Sequence, residues 1–161
     1  VVVRLKHLTG TDDLDEESGR DDSWKVPSGT IDVWWRGQKN GQLMLLLAHL
    51  LTLNPEWRHR TVRLLRVVDN ETAGEEVEKH LAKLSEESRI EAEAVAIVAS
   101  ENTDVPTTIQ MWSRTSALVV IGFEAPDEGT ESDFFAGIEH LVGNLPRVIL
   151  VDSAGGMELN S

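Results

Sequence analysis

The spacing of apolar positions changes period several times along the chain, and each change marks an element. Val1 to Lys6 is rich in β-branched residues and predicts a strand. Ile31 to Trp35 predicts a second. Gly37 to Gly41 reads as a tight polar turn, followed by a buried helix from Gln42 to Leu53 that Pro55 prevents from continuing. Thr61 to Val68 predicts a strand. Glu71 to Glu87 predicts an amphipathic helix, because Val77, Leu81 and Leu84 recur at helical spacing among charges. Ile90 to Ala99 predicts another strand. Pro106 opens a short helix to Ser113, with Ile109 and Trp112 on one face. Ala117 to Gly122 is a strand signal. Glu131 to Gly143 predicts a helix with Phe134, Phe135, Ile138, Leu141 and Val142 inward, and Val148 to Val151 predicts a last strand.

Strand and helix thus alternate from Ile31 onward. The runs Leu118–Ile121 and Val148–Val151 are apolar at every position, which requires cover on both faces. Alternation with double burial predicts an α/β fold: a five-stranded, mostly parallel sheet with helices on both faces. The expected order is 3-2-1-4-5, flavodoxin-like or universal-stress-protein-like, with right-handed crossovers. The N-terminal strand stands outside this unit, either as the end of a preceding subdomain or as an added edge strand. The organisation expected is a strand over 1–8, an acidic flexible linker over 9–29, an α/β domain over 30–153 and a polar tail over 154–161.

The linker is set apart by charge. Thr11 to Asp22 holds seven carboxylates and a single basic residue, Arg20. The whole chain of 161 residues carries a formal charge of −13, which would repel a phosphate backbone and excludes nucleic acid as an expected partner. Anionic lipid is disfavoured on the same ground. There is no cysteine, so neither disulfides nor thiolate metal sites are available, and a reducing compartment fits. The longest nearly apolar run, Leu43 to Leu53, is interrupted by His49 and Thr52 and falls short of the about 20 residues that span a bilayer. The chain opens on three valines without an initiator Met, which reads as a piece of a longer protein.

Candidate chemistry was sought at the carboxyl ends of the strands, where open α/β sheets hold ligands. Arg36 to Gly41 offers glycines, Lys39 and a helix start, a setting for an anion. It fits neither phosphate-loop nor dinucleotide fingerprints, and a turn with ordinary capping explains it equally. Asp69 and Asn70 read as helix caps. The Phe123–Gly129 segment carries Glu124, Asp127 and Glu128, which oppose phosphate. His7, His49, His59, His80 and His140 show no ligand spacing, and no serine stands in a nucleophile elbow. The reading is of no enzyme, no catalytic residue, no cofactor and no metal. Trp34 and Trp35, adjacent on a strand, point to opposite faces. Each either fills one layer of the core or anchors an interface.

The block Ile31-Asp32-Val33-Trp34-Trp35, a glycine turn, the leucine-rich helix ending in Leu50-Leu51-Thr52, Trp57 and the strand Thr61–Leu65 resembles the C-terminal domain of cation-chloride cotransporters. Val1–Lys6 is similar to that family's strand before a long variable loop, and Ala117–Ile121 and Leu145–Val151 are similar in type and order to its last two strands. The resemblance covers nearly the whole chain except the acidic linker. Glu71–Glu101 is compact where animal members carry insertions, which resembles a prokaryotic relative of the amino-acid permease superfamily, and no phosphorylation site is transferred. The resemblance implies a cytosolic regulatory and dimerising domain, on the cytoplasmic side of the cell membrane, of a symporter moving Na⁺ or K⁺ with chloride. It implies a homodimer in contact with its own transmembrane domain and a preceding cytosolic subdomain. Ile31, Asp32, Val33, Trp34, Trp35 and Trp57 are its signature residues, structural or interfacial. The alternative is a universal-stress-protein-like nucleotide-binding module.

Overall fold

A computed structural model describes residues 2–5, 28–36 and 38–152. The linker expected over 9–29 (save Ser28 and Gly29) and the tail over 154–161 lie outside the described residues. Ten elements follow in chain order: β1 (Val2–Leu5), β2 (Ile31–Trp34), α1 (Gln38–Thr52), β3 (Val62–Val68), α2 (Glu71–Ser88), β4 (Glu93–Val98), α3 (Val105–Ser113), β5 (Leu118–Gly122), α4 (Glu131–Val142) and β6 (Arg147–Val151).

The strands form one sheet in the order β1-β6-β5-β2-β3-β4. β2 to β6 are mutually parallel, and counted among themselves they have the expected 3-2-1-4-5 order. β1 is the added strand: it pairs antiparallel with β6 and forms an edge. The fold is α/β and universal-stress-protein-like.

β2 lies at the centre, and alternation along it sorts the core into two layers. Ile31, Val33 and Trp35 join Leu64, Val120 and Leu118 under α1 and α2, where Met44, Leu45, Ala48 and Leu81 close the layer. Trp34 joins Leu65, Val119 and Ile121 on the other face, with Ile109 of α3 and Val142 of α4. Both indoles are buried, one in each layer. Trp57, in the turn after α1, is half-buried against the first layer.

Local chemistry fixes the helix ends. The Asn70 side chain accepts from the Ala73 N–H at 2.9 Å to start α2, and Asp104 accepts from Thr107 at 2.8 Å to start α3, with Pro106 in the first turn. At the β4 edge the outward Ala96 N–H donates to Glu78 Oε1 at 3.0 Å, so a carboxylate occupies a group that a foreign strand could otherwise pair with.

Three expectations are corrected. Of the turn expected over 37–41, residues 38–41 are helical, because α1 already begins at Gln38, and Gly41 is buried inside it. The reason is tertiary: a Cβ at Gly41 would overlap the six-membered ring of Trp35, so the glycine lets the helix lie on the indole. Phe135 is not inward but exposed, since Phe134 takes the cleft-facing position beside it. Trp112 is also exposed, while Thr108, Ile109 and Ser113 form the buried face of α3.

Candidate functional site

Asp32 is the one fully buried carboxylate among the described residues. It sits on β2 directly beside Arg63 of β3, because the parallel register pairs these two positions on one face. The guanidinium holds it in a fork, Nε to Oδ1 at 2.8 Å and Nη2 to Oδ2 at 2.6 Å. Three hydroxyls complete its shell. Ser113 donates to Oδ2 at 2.6 Å, Thr30 to Oδ1 at 2.6 Å, and Ser116 donates a further short bond to Oδ2. Trp34 Nε1 donates to Ser113 Oγ at 3.0 Å, and Arg63 reaches the Trp112 carbonyl at 3.3 Å. Burial pushes the carboxyl pKa up. The Arg63 fork and the three hydroxyls outweigh that push, and Asp32 is held below the usual carboxylate range. The net effect is an ionised group whose acceptor sites are filled. It ties β2, β3, α3 and the α3–β5 connection together, with no lone pair aimed at solvent.

The signature residues therefore face inward. Ile31, Val33 and Trp35 pack, Asp32 and Trp34 are hydrogen-bonded, and Trp57 closes the rim of the first layer. Sequence reasoning passed over Arg63, Ser113, Ser116 and Thr30. An arginine within the apolar run Thr61–Val68 was the available signal for Arg63. Nothing local marked the hydroxyls.

At the carboxyl ends of β2 and β5, where the strand order reverses, lies an open cleft of about 730 Å³. Arg36, Lys39 and Asn40 line one side, and Phe123, Phe134, Ile138 and Leu141 line the other. Lys39 lies 4.0 Å from Glu124 and 3.6 Å from Asp152, so its charge is shared with two carboxylates. Asn40 donates to the Phe123 carbonyl at 2.7 Å and braces the cleft floor. No nucleophile and base are brought together here. Among the described residues no group of three or more histidines and carboxylates is placed to hold a metal. His49 is half-buried in α1, and His140 meets Asp104 at 3.0 Å on the surface, where the histidine contact holds that carboxyl at about 2.

The sheet is covered on both faces, and its one fully buried carboxylate among the described residues is committed to the core. The family follows from comparison: the family model for solute carrier family 12 matches residues 21–112, more than half of the chain. The chain belongs to solute carrier family 12, the cation-chloride cotransporter family, as a C-terminal domain of that family. This is a family of transporters rather than enzymes. Among the described residues no helix is long and apolar enough to cross a membrane.

Proposed function

We propose that this chain is the regulatory and self-associating cytosolic domain of a secondary transporter that moves Na⁺ or K⁺ together with chloride. The observation that supports this most is the family match over 21–112, whose signature strand is consumed by packing rather than by a reactive site. The domain takes part in no ion binding itself. It acts by association with a second copy and with the membrane-embedded part of the same protein. Leu50 on α1, Leu53 just beyond its end, Met111 and Trp112 on α3, and Phe135 on α4 are exposed apolar side chains available for such contacts.

Two measurements test this. Chloride-dependent rubidium uptake by the full-length protein in proteoliposomes should change when the domain is deleted, and uptake indifferent to chloride would remove the ion assignment. Disulfide trapping through cysteines placed at positions 112 and 135 of the full-length protein in membranes should give dimers. Monomers at every position would remove the association.

The switch-point cleft favours a second reading, a nucleotide-binding module. Against it, Glu124 and Asp152 already engage Lys39. Calorimetry with ATP separates the readings: micromolar binding lost in Lys39→Ala would favour the nucleotide.

A further inference from the structure

The opposite end of the sheet carries a second cleft, of about 690 Å³, at the amino ends of β3 and β4. Its walls come from three places: His49 and Thr52 at the end of α1, the stretch Arg58 to Val62 leading into β3, and Arg89 to Glu93 leading into β4. Arg58, Arg60 and Arg89 meet here in a chain with only 15 basic residues against 28 acidic ones. His49 and His59 line the same cleft, and Glu91 and Glu93 stand on its β4 side, leaving arginines in excess. Arg63 finds Asp32 and Lys83 finds Glu87, but none of these three arginines forms an ion pair with a described residue. Arg89 is held in place by backbone: it caps α2 in the left-handed conformation, φ 55°, with its N–H donating to Glu86 O at 3.0 Å.

We infer that this basic cleft is a docking site for the chain's own acidic segment, residues 11–22. Guanidinium forks match carboxylates in geometry. Exposed ion pairs are individually weak, so an open site with several separated arginines holds a multivalent ligand rather than a single small anion. The sequence itself contains a ligand of this chemistry, the seven carboxylates between Asp12 and Asp22. They precede β2, whose first residue, Ile31, donates to the carbonyl of Thr61, a residue lining the cleft. Eight residues separate Asp22 from Ile31, and eight extended residues span up to about 28 Å. The inference does not depend on the transported ions or on dimerisation.

The test uses a fluorescein-labelled peptide with the sequence of residues 11–22 and a control in which its acids are Asn or Gln. Anisotropy is read with two forms of the chain: the native one, and one with Asp12, Asp13, Asp15, Glu16, Glu17, Asp21 and Asp22 changed to Asn or Gln. The acidic peptide should bind the neutralised chain and the control should not. Arg58→Gln with Arg60→Gln should weaken binding at least tenfold while leaving the melting temperature in place, and salt should weaken it further. Weaker binding to the native chain assigns the site to the chain's own acidic segment. Equal binding to both forms overturns the assignment to that segment. No binding to either form, or binding indifferent to Arg58→Gln/Arg60→Gln, overturns the inference.

Discussion

The two faces of the central strand solve the same burial problem by different chemistry. Toward α1 and α2, Ile31, Val33 and Trp35 pack in an apolar cluster and against a glycine. Toward α3 and α4, Asp32 and Trp34 enter a layer that also holds a closed hydrogen-bonded cluster with Arg63, Ser113, Ser116 and Thr30. The first face is specified by shape and tolerates loss of fit poorly. The second is specified by pairing and penalises an orphaned partner most.

Breaking each face sharpens that contrast. Trp35→Ala removes a buried indole and should cost about 3–5 kcal/mol in chemical denaturation, through lost burial and the cavity left. Asp32→Ala leaves the Arg63 guanidinium without its carboxylate and should cost about 3–5 kcal/mol. Gly41→Ala forces a methyl into the Trp35 ring. It should destabilise by about 1–3 kcal/mol, although alanine in a helix interior is intrinsically favoured over glycine by about 1 kcal/mol. A stabilised Gly41→Ala variant would mean the indole has room to move.

The smallest effect is pH-dependent and belongs to the second face alone. The Asp32 carboxyl is depressed in the folded state. Its contribution is complete above the unfolded carboxylate value of about 3.9 and is lost as pH falls through the lower folded value. The acid limb of the stability curve should therefore be shallower in Asp32→Asn than in the parent, as read by denaturation midpoints from neutral pH down to about pH 3. An identical limb would mean that the fold does not depress the Asp32 carboxyl.

The contrast also explains what could be read from sequence. Continuous apolar runs such as Val119–Ile121 and Val148–Val151 announced inner strands, and the opposite burial of Trp34 and Trp35 followed from adjacency on a strand. The start of α1 was obscured because Gly41 resembles a turn residue when its reason, the Trp35 ring, is six positions away, just past the end of β2. Phe134 and Phe135 are both apolar, and only the packing of α4 decides which turns inward. The Asp32 cluster was hidden because, apart from Thr30 two positions away, its members lie 31 to 84 positions from Asp32 and meet only through strand register and helix packing. The signature was recognisable as a pattern, whereas its physical purpose depends on Arg63 and two serines outside it.

A double-mutant cycle on Asp32 and Arg63 tests that purpose most directly. With the pair committed to the fold, Asp32→Ala/Arg63→Ala should lose less stability than the sum of the single variants, by about 1–3 kcal/mol, because the second substitution removes the orphaned charge. Strictly additive losses would contradict the account and assign the two side chains independent roles.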